Sequence, residues 1–267
     1  MVESLQELNK IVQKPDYKTQ GNWMVRHILR DAALPITWLL LHTPVTANQV
    51  TLGSLAVGLL GVCLLAFPGA GFFLTACLLL QLWYLLDHVD GQIARYRGAS
   101  GITGRFFDFM THHLMHGVLF FSLGYHGYER TGRFFFMVWG FLASGSITLF
   151  NLIQDAKYKT FYEKLSTLET VRIKAGEETK SQSKAPGDPR LLRTGFSWLH
   201  KMCEIHVLMN ILTMAAILET LFNASWDLRF LLFIFYGILI PFITVVKLGY
   251  IISNRKIDQE FHSLFCD

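Results

Sequence analysis

Residues 87–113 read DHVDGQIARYRGASGITGRFFDFMTHH, and the interpretation of the whole chain starts from this stretch. It places three carboxylates, Asp87, Asp90 and Asp108, and the histidine His112 among apolar residues. Ionisable groups are costly in such surroundings and are usually functional. The stretch therefore predicts a polar site inside an otherwise apolar protein.

Helical spacing divides the stretch into two stripes, because residues three and four apart share one face of a helix. If two antiparallel helices are joined by a turn at 98–103, both stripes converge on one site. Each stripe combines ionisable and small residues: Asp87, Asp90, Gly91 and Ala94 on the first, and Gly101, Gly104, Arg105, Asp108 and His112 on the second.

The chemistry of these side chains favours a metal site that takes an anionic ligand. Carboxylate oxygens at this density suit a hard divalent cation such as Mg²⁺ or Mn²⁺, and an anionic substrate would complete the coordination. Gly91, Ala94 and Gly104 leave room beside the carboxylates for a bulky ligand. Arg95 adds a fixed positive charge of the kind that phosphates favour.

The composition predicts a polytopic membrane protein. Of 267 residues, 52% are hydrophobic and only 16% are charged, which is too apolar for an ordinary soluble domain. The four cysteines lack paired spacing, so neither a disulfide framework nor a zinc site is expected. The net charge of +4 is interpreted through the orientation of the protein in the membrane and its attraction to anionic lipid headgroups. No nucleic-acid partner is expected.

Six apolar runs predict an all-α fold with six transmembrane helices. Thr46 is the predicted N-cap of the first helix, and Pro241 is predicted to kink the last. Residues 72–86 would cover roughly 22 Å of a hydrocarbon layer about 30 Å thick, so Asp87 and Asp90 are expected just inside its boundary. The runs cover about 46–67, 72–86, 102–125, 134–152, 205–222 and 228–252.

The polar segments complete the predicted domain organisation. Residues 1–45 form a cytosolic lead-in followed by an amphipathic juxtamembrane helix over Trp23–Leu41, which lies in the membrane interface. Residues 46–253 form a six-helix catalytic domain, and 254–267 form a cytosolic tail. The polar loop at about 154–199 is interpreted either as a solvated connector or as a substrate lid, with the first favoured.

The basic residues predict the orientation in the membrane. In a six-helix topology most basic residues lie on one side of the membrane, here called the crowded side, which also holds the long loop. The turns on the opposite side carry only Arg130, Arg133 and Arg229. By the positive-inside rule, the carboxylate cluster and both termini are cytoplasmic, in a bacterial inner membrane or a eukaryotic endomembrane. The crowded side carries Arg26, Arg30, Arg95, Arg97, Arg105, Arg255 and Lys256.

The spacing of the central stretch also resembles the signature of the CDP-alcohol phosphotransferase (CDP-alcohol phosphatidyltransferase) family. In that signature an Asp-x2-Asp-Gly-x2-Ala-Arg block is followed, after eight residues, by Gly-x3-Asp-x3-Asp. The chain departs from it once, with His112 where the family has its fourth Asp. The matching positions are Asp87, Asp90, Gly91, Ala94, Arg95, Gly104 and Asp108.

The resemblance assigns roles to these positions. It implies that Asp87, Asp90 and Asp108 bind Mg²⁺ or Mn²⁺ and that His112 occupies the position of the catalytic base. A second, weaker motif resembles the family's Pro-Asn-x-x-Thr helix entry, with Ala47 where Pro is usual. The expected donor-binding residues are Asn48, Thr51, Asp87, Asp90, Gly91, Ala94, Arg95 and Gly104.

Three functions stay open at this stage. The favoured one is a membrane transferase that moves a phosphatidyl or phospho-alcohol group from a CDP-activated donor to an alcohol or lipid acceptor in phospholipid synthesis, with release of CMP. The second is an inactive member of the fold with a structural, ligand-sensing or partner-binding role. The third is a transporter, which the matching positions Gly91, Ala94, Arg95 and Gly104 disfavour because an ion path does not require them.

Several details stay open with the function. His112 can serve as base or as a hydrogen-bonded packing residue, and because it replaces a carboxylate we expect either a single bound metal ion or His112 as a nitrogen ligand. His113 and His116 are expected to be packing or polar-network residues. A homodimer is implied by resemblance only. Small residues on the fourth helix permit close packing: Gly140, Ala143 and Gly145. Basic residues that would bind a phosphorylated acceptor or snorkel to headgroups are Arg105, Lys157 and Lys247.

Overall fold

The structure, a computed structural model, describes residues 2–13, 23–167, 172–173, 198–222 and 226–266. Helices dominate this part of the chain, and its strand structure is a two-residue antiparallel pairing of Arg172–Ile173 with Phe265–Cys266. The predicted all-α fold is confirmed. The helices are α1 Leu5–Val12, α2 Arg30–Leu41, α3 Ala47–Ala66, α4 Ala70–Tyr96, α5 Ile102–Thr131, α6 Phe135–Ser166, α7 Ile205–Leu221, α8 Leu228–Ser253 and α9 Lys256–Leu264.

The long helices are those of an integral membrane protein. By length and composition, α3, α4, α6 and α8 can each cross a membrane. Helix α5 has 30 residues but carries the charged residues Arg105 and Asp108 of the central stretch, and α7 is a shorter apolar helix of 17 residues. All six predicted apolar runs lie in these six helices. The chain is therefore an all-α polytopic membrane protein.

Local sequence signals set the connections between the first three of these helices. Thr46 caps α3 in a capping box, in which its side chain accepts from the Gln49 backbone and the Gln49 side chain accepts from the Thr46 backbone. Helices α4 and α5 are joined by a tight turn in which Gly98 has a φ of 62°, a conformation that favours glycine. Helix α3 packs along both α4 and α5, so the two helices that this turn joins share α3 as their main common neighbour.

Helices α5 and α6 approach each other most closely at a pair of glycines. A Cβ on Gly124 would lie 2.6 Å from the Gly140 Cα, and one on Gly140 would lie 2.7 Å from the Gly124 Cα. Ala143 is also fully buried, whereas Gly145 is exposed with nothing within 4 Å of its Cβ position. Of the small residues considered for dimer packing, only Gly145 therefore faces outward.

The N-terminal region is more structured than a polar lead-in. The predicted Trp23–Leu41 helix is confirmed: the chain is helical from 23 to 41, with a π-helical turn at Val25–Leu29 before α2. Gln92 of α4 holds this helix in place through two hydrogen bonds. Thr37 donates to the Gln92 side-chain oxygen at 2.7 Å, and the Gln92 side-chain amide donates to the Arg30 carbonyl at 3.0 Å. Sequence reasoning missed α1, which packs against both α2 and α4.

Helix α6 continues well beyond the predicted end of the fourth apolar run. It ends at Ser166 rather than near 152, so the start of the predicted polar loop is helical. Helix α9 packs against this extension through Phe161 and Phe261, whose ring centroids are 5.3 Å apart, and through a Lys157–Glu260 ion pair at 2.9 Å. The proline- and glycine-containing part of the loop, at 183–189, lies outside the described residues.

A buried polar network holds the end of the bundle opposite to the central stretch. Arg229 is 1% exposed and donates at 2.8 Å to the carbonyls of Leu65 and Phe67, which lie at the C-terminus of α3. These carbonyls have no partner within their own helix, so the guanidinium caps α3. Arg229 was predicted in a short turn on the side of the membrane opposite the carboxylate cluster, and the structure instead places it in the first turn of α8 as a buried cap of α3.

Asp227 completes this network as the N-cap of α8. Its carboxylate accepts from the Phe230 backbone at 2.8 Å, from His126 at 2.7 Å and from Arg130 at 2.6 Å. Burial acts to raise the pKa of Asp227, but these hydrogen bonds outweigh it and hold the pKa below its ordinary value. The network joins the ends of α5 and α8.

Candidate functional site

Three helices bring the predicted site residues together. The last turns of α4 carry Asp87 and Asp90, the first turns of α5 carry Asp108 and His112, and the first turn of α3 carries Thr51. Because α4 and α5 are joined by the short turn at Gly98, their stripes face each other at the same end of the bundle. The predicted convergence of the two stripes is observed.

Asp87, Asp108 and His112 form a close group of ionisable side chains within this site. The Nε2 atom of His112 lies 3.0 Å from an oxygen of Asp87 and 3.3 Å from an oxygen of Asp108. One ligand atom from each residue lies within 4.8 Å of the others. An ionised carboxylate can only accept, so Nε2 donates its hydrogen toward both oxygens. The same three atoms are a possible metal-binding group.

Asp90 is held separately from this group. Its carboxylate accepts a hydrogen bond from the Thr51 hydroxyl at 2.6 Å, which ties α4 to the first turn of α3. Thr51 was expected to lie near a nucleotide. The structure gives Thr51 a defined partner within the site, the second of the three predicted metal-binding carboxylates.

A cavity of about 550 Å³ opens beside these carboxylates. Asp108 lines it together with every predicted donor-binding residue: Asn48, Thr51, Asp87, Asp90, Gly91, Ala94, Arg95 and Gly104. His112 does not belong to the cavity wall; its ring lies 5.3 Å from the ring of the buried Trp83. His112 therefore contacts Asp87 and Asp108 from the side that faces away from the cavity.

The cavity also has lining residues that sequence reasoning did not select. Gln13 and Arg30 come from the N-terminal helices, and His88 comes from α4 itself. The Nδ1 atom of His88 donates to the Tyr84 carbonyl at 2.9 Å, because a carbonyl can only accept, so Nε2 is the acceptor of the neutral ring. Only His88 had a signal in the sequence, as the neighbour of Asp87.

The two arginines that end α4 have different partners. Arg95 donates from Nε to the carbonyl of Val12 in α1, and its Nη1 lies 3.2 Å from the place where a Cβ on Gly91 would be. Arg97 donates to the carbonyls of Val45 at 2.6 Å and Thr43 at 2.8 Å. Arg95 is thus part of the cavity wall, whereas Arg97 fixes the loop between α2 and α3.

The remaining polar candidates lie around the site. His113 pairs with Asp155 of α6 at 2.7 Å, and His116 donates from Nδ1 to the His112 carbonyl at 2.7 Å, as polar-network residues would. Lys247 places its ammonium 3.9 Å from the centre of the Phe150 ring. Of the three basic residues considered for a phosphorylated acceptor, only Arg105 lines the cavity.

Comparison with protein families bears on the same segment. Residues 44–174 match the family model of the CDP-alcohol phosphatidyltransferases. Over this segment, 131 of the 267 residues, the chain is similar to members of this family. The match runs from the loop before α3 to beyond the end of α6 and includes the whole central stretch. No curated protein is similar enough to the chain to be matched to it.

The match to the CDP-alcohol phosphatidyltransferase family model gives a coarse account of the chemistry. The family implies a CDP-linked substrate and an alcohol acceptor in a membrane, and its members use divalent metal ions. The Asp87, Asp108 and His112 group is placed where such an ion would be needed, at the edge of the cavity. Helices α1, α2, α7, α8 and α9 lie outside the matched segment.

Proposed function

We propose that the protein transfers a phosphate-linked group from a CDP-activated donor to an alcohol hydroxyl and releases CMP, in the synthesis of phospholipids or related lipids. The observation that carries this proposal is the cavity wall. It gathers three carboxylates, an arginine and the small residues of the central stretch around one space of about 550 Å³. That combination suits a bulky anionic ligand bound through a metal ion.

The donor is proposed to bind between the start of α3 and the end of α4. Arg95 supplies the fixed positive charge for the pyrophosphate, and Asn48 lines the same cavity from α3. A Cβ on Gly104 would lie 4.0 Å from the Asn48 side-chain oxygen, so a larger residue there would narrow the cavity. Glycine and alanine at these positions let the nucleotide reach the helix backbones.

The metal ion, which we propose to be Mg²⁺ or Mn²⁺, would be held by Asp87 and Asp108. The fit rests on the convergence of their oxygens with His112 Nε2, all within 4.8 Å of one another. Asp90, bonded to Thr51, would add a further oxygen ligand beside them. When bound, such an ion neutralises the pyrophosphate and stabilises the leaving nucleotide.

For His112 the contacts favour a role as metal ligand or as positioning residue over a role as base. Its Nε2 is directed at Asp87 and Asp108, and the residue does not line the cavity where an acceptor hydroxyl would bind. A neutral imidazole with its hydrogen on Nδ1 would direct the Nε2 lone pair to the same point, as a nitrogen ligand requires. We therefore propose one metal ion held with a nitrogen ligand.

The positive-inside rule supports a cytoplasmic site and cytoplasmic termini, which we propose together with the division into segments 1–45, 46–253 and 254–267. A homodimer is also proposed. Its packing would involve the exposed face of α6 that carries Gly145, because Gly140 and Ala143 are already buried within the chain.

The experiment that tests the proposal is CMP release by the purified protein in Mg²⁺ or Mn²⁺. CDP-diacylglycerol and CDP-linked polar alcohols would be supplied with mixed alcohol and lipid acceptors. Release that Asp108→Ala abolishes supports the transferase. A silent parent with an active His112→Asp variant would instead identify an inactive member of the family, and silence from both proteins would leave the substrate unidentified and make CDP binding the next measurement.

A further inference from the structure

We propose that α1 is a working part of the donor site, where it positions the guanidinium of Arg95 for the pyrophosphate. The inference rests on the proposed function and extends it to a segment outside the family match. It identifies Glu3, Tyr96 and the Val12 carbonyl as the positioning groups.

Helix α1 has its own start signal and a face that needs a partner. Ser4 and Glu7 form a capping box at its N-terminus. Leu8 and Val12 are fully buried, in a cluster with residues of α2 and α4 that includes Ile93. A helix of eight residues is not stable alone, so this docking holds it in place.

The hydrogen bond between Tyr96 and Glu3, here called the latch, reinforces the docking at the N-terminus of α1. The Tyr96 hydroxyl donates to the Glu3 carboxylate at 2.6 Å, and the Trp38 indole donates to the Glu3 carbonyl at 3.0 Å. The hydrogen bond from Tyr96 lowers the pKa of Glu3, as expected for a bond to the charged form. Because Tyr96 follows Arg95 directly in the chain, the latch fixes α1 to the residue next to the arginine.

The other end of α1 holds the arginine itself. Arg95 donates from Nε to the Val12 carbonyl in the last turn of α1, where a helix presents unpaired carbonyls and the negative end of its dipole. With Nε engaged there, Nη1 lies over Gly91. Both Gly91 and Arg95 line the cavity, and so does Gln13, the C-cap of α1.

This arrangement predicts a specific defect when α1 is released. The long arginine side chain would lose one of its fixed bonds and would have to be ordered again whenever the donor binds. The affinity for the donor should fall, while the acceptor KM and the rate at saturating donor should stay near the parent values. A purely structural role for α1 would instead lower stability without this selectivity.

The test uses the full chain in detergent with CDP and Mn²⁺ as the binding probe, and donor kinetics where turnover is seen. Tyr96→Phe and Glu3→Ala each remove the latch bond, and each should weaken CDP binding by about tenfold, the effect of one hydrogen bond to a charged group. The double variant should be no weaker than either single variant, because both remove the same bond. Glu3→Gln, which keeps an acceptor oxygen, should recover part of the affinity.

Two matched variants serve as controls. Tyr125→Phe removes a tyrosine–glutamate hydrogen bond, that between Tyr125 and Glu129 in the last turns of α5, and should not change CDP binding. Lys10→Ala changes an exposed side chain of α1 and should also bind as the parent does. Latch variants that bind CDP as tightly as the parent would overturn the inference alone. A parent that binds no CDP would overturn the proposed function and this inference with it.

Discussion

Replacing His112 by alanine tests the proposed metal group directly. The substitution removes the Nε2 donor that lies 3.0 Å from Asp87 and 3.3 Å from Asp108. Two carboxylates then face each other with oxygens within 4.8 Å and no donor between them. At an effective dielectric constant of about 20, this repulsion is about 3 kcal/mol.

Solvent screening reduces that value. The side chain of Asp87 is 18% exposed, but that of Asp108 is 48% exposed, so water reaches one partner of the pair. A destabilisation of about 1–2 kcal/mol is therefore expected when no divalent ion is present. For a chain of this size, that corresponds to a decrease in Tm of roughly 2–8 °C.

The assay is thermal unfolding in detergent with EDTA or with added Mn²⁺. His112→Ala should have a lower Tm than the parent in EDTA and a smaller increase in Tm when Mn²⁺ is added, because the variant lacks the nitrogen ligand of the proposed site and binds the ion more weakly. His113→Ala, which disrupts only the peripheral pair with Asp155, is the control and should respond to Mn²⁺ as the parent does. Equal Tm values for both variants in EDTA, with equal responses to Mn²⁺, would refute this account of the site.

Other parts of the structure give independent predictions. Gly124→Ala should destabilise the protein by about 1–3 kcal/mol, because the added methyl group would force α5 and α6 apart where they cross. Gly145→Ala should be neutral or slightly stabilising, and chemical unfolding in detergent compares the free energies of unfolding of the two variants. Thr51→Val should lower CMP release at least tenfold with little change in Tm, because Asp90 loses the hydroxyl that orients it; activity at or near the parent level would contradict this. The pKa of Asp227 is depressed in the folded protein, so its contribution to stability is present above the unfolded value near 4 and is lost as pH falls through the folded value. Tm should consequently decline more steeply with acidification in the parent than in Asp227→Asn, and parallel curves would argue against it.

The predictable features were those that depend on near neighbours in the chain. The capping box of Thr46 and Gln49 needs only four consecutive residues, and the turn at Gly98 needs one glycine in an unusual conformation. The facing stripes of α4 and α5 follow from helical periodicity once that turn is short. For these features the pattern of residues and the structure agree.

The features that were missed depend on contacts between distant segments. Helix α1 is short and mostly polar, and only its docking on α2 and α4 makes it stable. Arg229 was predicted as a basic residue in a short turn between helices, but the packing of α8 brings it to the carbonyls that end α3. The extension of α6 is paired with α9, which lies about a hundred residues further along the chain.

The sequence by itself determined the membrane class of the protein, its resemblance to a family and many of the side chains that line the cavity, because composition, helical period and motif spacing are properties of the chain alone. Tertiary structure decided the direction in which those side chains face. The rotation and crossing of α3, α4 and α5 bring His112 to the back of the carboxylates rather than into the cavity, and bond Asp90 to Thr51. The docking of α1 brings a backbone carbonyl to Arg95. Such contacts depend on how whole helices pack, which no local pattern of residues specifies.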